Sequence, residues 1–479
     1  MLKKGIVWDF IGKVFNQGIT FIVSIFLARL LLPEEFALVA MAMAFFGLAR
    51  VFIDFGLSSA LIQNQEIKNI HYNSIFWINI LFSLIIGAIF FLSSSIIAEF
   101  YQQEVLINIV KVLSGVFFIS ALGNVHIAIL KKELNFKYLS TTNVISAVIS
   151  GCIGIFLAYS GYGVWSIIIQ YISSHVIRLI LLIKGTKWIP KFEFSWLAVK
   201  PLWNYGKKLF LSGLLDSISN QLDVFVIGKM FAPATLGFYS RGKSLNQLIG
   251  TYSSSSLSSV LFPALSKIQN DIEQVKQKII SFFRLAAFIS FYLGAILYVC
   301  SEDIIVIMFT DKWLPTVPYF RIMVLTTFAF PLSAIILTPL RSLGRSDLFL
   351  KLEVIKKIMI IPTYLIGFQF GITGFLYAIM INRLIGVSLN GYFTGKMINW
   401  ELKKQWLEIL IYGIPAYIGC GIIFILIPNQ LIPNHFYHLI ISASLFTIYY
   451  GTVQLLFKTK GSQIIINLVS SIIKKNKKR

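Results

Sequence analysis

Apolar residues gather along this chain in fourteen stretches, at roughly 8–30, 37–61, 75–97, 105–130, 140–160, 162–184, 209–231, 237–263, 279–300, 317–340, 355–371, 374–395, 405–427 and 436–457. Most are near the ~20 residues that a helix needs to cross the hydrocarbon layer. Backbone polar groups have no water to bond in that layer, so continuous apolar runs of this length predict helices. The pattern predicts an all-α integral membrane protein of about 14 transmembrane helices.

The connections alternate in charge. With the amino terminus in the cytoplasm, the even connections carry Lys68; Lys131, Lys132 and Lys137; a run from Lys184 to Lys208; Lys267, Lys276 and Lys278; Arg341 to Lys357; and Lys396 to Lys404. The odd ones carry only Lys312. Basic loops are retained on the cytoplasmic side, so both termini are expected inside. Met1 to Lys4 ahead of an apolar run resembles a secretory leader. The run is too long for one, and Asn16 and Gln17 within it favour a retained first helix.

A shift of 200 residues lays the first two stretches on the seventh and eighth. Arg29–Leu38 (RLLLPEEFAL) then meets Lys229–Phe238 (KMFAPATLGF), pairing Pro33 with Pro233 and Arg29 with Lys229. Leu57, Ser58 and Ser59 meet Leu257, Ser258 and Ser259. Six helices per lobe give both lobes the same orientation, so the expected architecture is two six-helix lobes in a parallel pseudo-twofold repeat plus a carboxy-terminal helix pair. The corresponding boundaries are 1–184 for the first lobe, 185–208 for a cytoplasmic linker and 209–395 for the second lobe. Residues 396–457 hold helices 13 and 14, and 458–479 a basic tail that reads either as an interfacial helix or as a solvated segment.

Charges inside the apolar stretches are the candidate chemistry. An Arg at mid-bilayer costs about 2.5–3.5 kcal/mol on insertion scales, so several of them call for a wet cavity or ion partners. Counting along the helices puts Arg50 and Arg383 near the midplane, with Arg241, Lys243, Arg321 and Lys111 in the outer half. Arg29 and Lys229 fall at outer helix ends, as gate candidates. Asp9, Lys13, Asn16, Thr20 and Ser24 form one helical stripe, and Lys208, Ser212, Asp216, Asn220 and Asp223 another. Such stripes serve either a hydrated cavity or hydrogen bonding between helices. Arg50 and Asp54, four apart, also fit a simple ion pair. His126 and His175 read as packing histidines. From Gln405 to Phe457 the only charged side chain is Glu408, which suits a lipid-facing pair.

Composition agrees: 57% hydrophobic and 13% charged residues, with a mean hydropathy of +0.79. The net charge of +22 is spread over short loops, where topology and anionic membrane lipids account for it. A nucleic-acid binder would gather it on one face, and none is expected as a partner. Cys152, Cys300 and Cys420 are too few and too separated for a disulfide framework or a metal site. There is no phosphate-cradling glycine loop, HExxH or paired external carboxylate motif, and the outer connections are short.

Asp54–Gln63 (DFGLSSALIQ), Ser74–Asn79 (SIFWIN), Gly161–Ile167 (GYGVWSI), Leu222–Ser244 (LDVFVIGKMFAPATLGFYSRGKS), Leu261–Asp271 (LFPALSKIQND), Phe309–Pro315 (FTDKWLP) and Leu340–Leu348 (LRSLGRSDL) resemble the Wzx-type polysaccharide flippases of the multidrug/oligosaccharidyl-lipid/polysaccharide (MOP) exporter superfamily. The resemblance covers almost the whole chain. It implies a transporter, not an enzyme, in the bacterial inner membrane. The implied activity is moving undecaprenyl-(pyro)phosphate-linked oligosaccharide units of O-antigen, capsule or exopolysaccharide to the outer leaflet. Polysaccharide polymerase and glycosyltransferases are the implied pathway partners. Arg50, followed by Asp54 and Gly56, is similar to a basic residue and acidic-glycine motif of related peptidoglycan-precursor flippases.

On this reading Arg50, Arg241, Lys243, Arg321 and Arg383 hold phosphate or acidic sugars, while Asp54, Asp216, Asn220 and Asp223 are cavity polar groups or proton- or sodium-coupling sites. No cofactor or metal is expected. A multidrug/cation antiporter of the same superfamily is the first alternative, set back by the excess of buried Arg and Lys. A membrane glycan polymerase or ligase is the second, set back by the small outer loops.

Overall fold

The computed structural model describes residues 2–64, 66–428 and 431–476, almost all of them helical and with no strand among them. The chain divides into two compact units, Met1–Gly237 and Phe238–Arg479. The first holds α1 (Leu2–Leu30), α2 (Pro33–Asp54), α3 (Leu57–Gln63), α4 (Asn69–Leu92), α5 (Ser94–Tyr101), α6 (Val105–Lys132), α7 (Phe136–Tyr159), α8 (Val164–Thr186) and α9 (Trp196–Met230). Then follow α10 (Pro233–Ser266), α11 (Ile272–Val299), α12 (Ser301–Phe309), α13 (Thr316–Val324), α14 (Ala329–Ser342), α15 (Ser346–Gly367), α16 (Gly371–Ile398), α17 (Leu402–Leu426), α18 (His435–Leu456) and α19 (Lys460–Asn476).

Eleven stretches of the described residues are long and apolar enough to cross a membrane, and one of them, Asp347–Ile398, takes in both α15 and α16. The protein is therefore a multi-pass membrane protein. α9 and α10 stand outside the eleven. They are long enough at 35 and 34 residues, but α9 carries Lys207, Asp216, Asn220 and Asp223, and α10 carries Arg241, Lys243 and a serine run. Their polar content identifies them as helices that need more than lipid around them.

Local chemistry breaks helices that the apolar pattern left continuous. The stretch at 37–61 is cut after Asp54, where Phe55 and Gly56 take left-handed φ values of 46° and 73°. The Asp54 carboxylate accepts from the Ser58 amide at 3.1 Å and from the Ser58 hydroxyl, capping α3. The stretch at 317–340 divides between Val324 and Ala329. The linker expected over 185–208 is a true connection only as far as Ser195, because α9 begins at Trp196 and runs through Pro201. Pro201, the sixth residue of α9, lies just past the orphan donors of the first turn, so it removes one intrahelical bond, that to the Leu197 carbonyl.

The repeat offset is visible in the backbone. α1 and α9 end at residues 30 and 230, and α2 and α10 both open on a proline, at 33 and 233. Leu31 closes on Leu27 at 2.9 Å and Phe231 closes on Ile227 at 3.0 Å. Proline at a first helical position lacks only a donor that would be orphaned anyway.

In the first unit α7 packs on α1 and α8, α4 on α6, and α9 on α2. Small residues set the spacing: a Cβ on Gly206 would stand 2.7 Å from the Phe55 carbonyl oxygen, so α9 comes against the α2–α3 break as only glycine permits. In the second unit Phe283, Phe291, Phe446, Tyr412 and Tyr450 join α11, α17 and α18 in one core. Two polar contacts brace it. Arg284 Nε donates to Glu408 Oε1 at 2.8 Å. Buried Asp303 of α12 is held by His435 at 2.8 Å and His438 at 2.6 Å, both from the first turn of α18. The tail forms α19, packed on α11 and α18. Lys477, Lys478 and Arg479 lie outside the described residues.

Candidate functional site

The site in the first unit is built where α2 meets α8. On α2, Phe46 and Arg50 are one turn apart; on α8, Tyr171, His175 and Arg178 fall at i, i+4 and i+7, hence on one face. The aromatic rings fix the approach: Phe46 meets Tyr171 edge-on at 5.8 Å, and Tyr171 lies 4.4 Å from the His175 ring. Arg50 follows one turn along and interacts electrostatically with Tyr171, His175 and Arg178. His175 Nδ1 contacts the Tyr171 carbonyl oxygen at 2.9 Å, which holds the ring in place.

Among the described residues, neither guanidinium has an ion-pair or hydrogen-bond partner, and Arg178 Nε is shielded from solvent with none. Asp54 is committed to Ser58 and forms no ion pair with Arg50 among those residues. Two like charges are thus held near each other with donors unspent. Arg50 is exposed and Arg178 half-buried, so the pair presents guanidinium donors that an anion can take.

The sequence singles out Arg50 and passes over Arg178 and Tyr171, which the structure sets beside it. The signal was present, since Tyr171, His175 and Arg178 mark one polar face within an apolar run. His126, by contrast, is buried and bonded to the Thr186 hydroxyl at 2.6 Å, a packing histidine as expected.

The other sequence candidates take several environments. On α9, Asp216 and Asn220 are exposed and Asp223 is buried, its Oδ1 accepting from the Val224 amide at 2.9 Å. Arg29 and Lys229 are exposed in equivalent last turns, and Lys229 lies 5.0 Å over the Phe100 ring. Lys111 lies 5.4 Å over Phe91. The side chains of Asp9 and Lys208 lie outside the described residues.

In the second unit Arg241 is buried over Phe309 and Trp313, at 5.5 and 5.6 Å. Lys243, two residues on, is half-buried 5.9 Å from the Tyr239 ring. Arg321 donates from Nε to Ser301 at 2.7 Å, approaches Glu302 at 3.9 Å and covers the Phe424 ring. Arg383 reaches Thr326 at 3.4 Å and stacks over Phe330 at 4.8 Å. Each cation has an aromatic face, a contact that strengthens when water is excluded. No cluster of three or more metal-ligating side chains occurs among the described residues.

A chain of apolar helices interrupted by the polar α9 and α10, with cations set among aromatic rings, defines a polytopic helical membrane protein. The fold matches the lipid II flippase MurJ in its inward closed conformation with a TM-score of 0.78 at 16% identity, covering 94% of this chain and 98% of that one. It also matches an inward-facing multidrug resistance MATE family transporter of the MOP superfamily, with a TM-score of 0.62 at 16% identity over 81% and 96% of the two chains. The lipopolysaccharide biosynthesis protein WzxC of Escherichia coli (strain K12) is 25% identical over 420 residues, or 87% of this chain and 85% of its own. The family described as "Polysaccharide biosynthesis protein" matches residues 26–318, and the chain belongs to it.

Proposed function

We propose that this protein is a flippase that moves a polyprenyl-(pyro)phosphate-linked oligosaccharide from the cytoplasmic to the outer leaflet by alternating access. The observation that carries the reading is the α2–α8 cluster, where Arg50 and Arg178 face each other's charge with no carboxylate between them among the described residues. A diphosphate headgroup entering hydrocarbon alone would lose its hydration at a cost of tens of kcal/mol in the Born limit. Guanidinium groups replace that hydration with charge-assisted hydrogen bonds while the polyprenyl tail stays in lipid. Family membership and the name of the WzxC relative support a saccharide cargo.

Arg241, Lys243, Arg321 and Arg383 of the second unit are likewise proposed to bind phosphate or acidic sugars. Asp216 and Asp223, with Asn220 on the same helix, are proposed to carry a counter-transported proton or sodium ion. Coupling is an addition, because an interior-negative potential already favours anion exit by about 2.3 kcal/mol per charge per 100 mV.

The test is reconstitution of the full chain into vesicles loaded with a polyprenyl-diphosphate saccharide, with a glycosidase added outside. Cleavage of inner-leaflet substrate well above that in protein-free vesicles is the expected result. Cleavage equal to the protein-free control would overturn the flippase reading.

A further inference from the structure

A groove of about 650 Å³ opens in the second unit where α11, α17, α18 and the turn into α19 meet. Its wall along α17 is apolar and exposed, with Leu407, Leu410, Ile411 and Ile414 in successive turns. On a membrane protein such a wall faces acyl chains. Its other end is rich in hydrogen-bond donors: Arg284, Lys458 and Lys460 stand there against one carboxylate, Glu408. Arg284 gives Nε and Nη2 to the same Glu408 oxygen, which leaves other guanidinium N–H groups for a second acceptor.

A further observation points to a ligand. Gln454 is 1% exposed, its Oε1 accepts from the Thr459 hydroxyl at 2.8 Å, and its Nε2 is buried with no partner. An unpaired buried amide N–H is costly, and its residue is one of those lining the groove. The turn that carries both lysines is also fixed: the Gly461 amide donates to Tyr412 Oη at 3.0 Å, and the Ser462 hydroxyl reaches the Gln454 carbonyl oxygen at 3.2 Å. The backbone that carries the two lysines is therefore fixed, with their side chains exposed beside the groove.

We propose that this groove is a binding site for one anionic glycerophospholipid. One acyl chain runs along the α17 wall, ester and phosphate oxygens accept from Gln454 and Arg284, and Lys458 and Lys460 hold the anionic headgroup. A zwitterionic headgroup would bring its own cation against the two lysines. The site is separate from the Arg50–Arg178 cluster and does not depend on what the protein transports.

The full chain, delipidated in detergent, is titrated with phosphatidylglycerol, with phosphatidylcholine of the same chains and with polyprenyl phosphate, and bound lipid is counted by native mass spectrometry. One phosphatidylglycerol is expected to bind in preference to the others. Lys458→Gln with Lys460→Gln should weaken it roughly 30-fold, from the usual contribution of a basic residue near an anionic lipid. Ile414→Trp, which fills the wall and keeps every charge, should release it as well. Equal binding of phosphatidylcholine, unchanged binding in both variants, or preferential uptake of polyprenyl phosphate lost in those variants would each overturn the proposal.

Discussion

Arg50 and Arg178 do by position what neither does by residue type alone. Each would be costly in hydrocarbon, yet the α2–α8 contact brings the two close, with Tyr171 and His175 packed beside them. Hydrogen bonds to charged groups contribute about 1.5–3 kcal/mol each, so Arg50→Ala or Arg178→Ala should lower export by about tenfold or more. The measure is surface polysaccharide at unchanged membrane abundance, and normal export in both variants would remove the pair from the site. Asp54 has a local task instead. Asp54→Asn, which keeps an acceptor for Ser58, should cost little stability, whereas Asp54→Ala should cost about 1 kcal/mol through the lost cap, read as a drop in thermal midpoint.

At the scale of elements, the distribution of breaks and braces matters more than the number of helices. α18 is fastened to α12 by Asp303, whose carboxylate oxygens are each taken by a histidine. Weakening the acceptor of a buried hydrogen-bonded group leaves its donors poorly satisfied, at about 1–3 kcal/mol. Asp303→Asn should therefore lower the melting midpoint of the purified protein by about 5 °C, from the usual conversion for a unit of this size. A shift of a degree or less would mean that the histidines are solvated and the brace idle. The α18–α19 turn is the second brace, and it sets the lysines that the lipid proposal requires.

For the molecule as a whole, the charge of the connections predicts the orientation. With Cys152, Cys300 and Cys420 replaced by serine, a single cysteine at Arg345 should react with a membrane-impermeant thiol reagent only after the cytoplasmic side is opened. One at Lys312 should react in intact cells stripped of their outer layer. The reverse pattern would place both termini outside and invert the proposed direction of transport.

Much of this protein was legible before any coordinates. Apolar runs gave the helical membrane class, because in hydrocarbon a backbone can satisfy its polar groups only within helices or closed barrels. The offset of 200 was legible from Pro33 and Pro233, since proline is favoured at the first helical position and both helices open on it. Arg50 was legible because charge in an apolar run is costly. What spacing along one helix could not decide was which side chain faces which on another. Only the packed structure separates Asp54 from Arg50, adds Arg178 to it, buries Arg241 among aromatics and closes His435 and His438 on Asp303. These are contacts between residues far apart in the chain, set by helix packing and by the burial of groups whose partners no local pattern names.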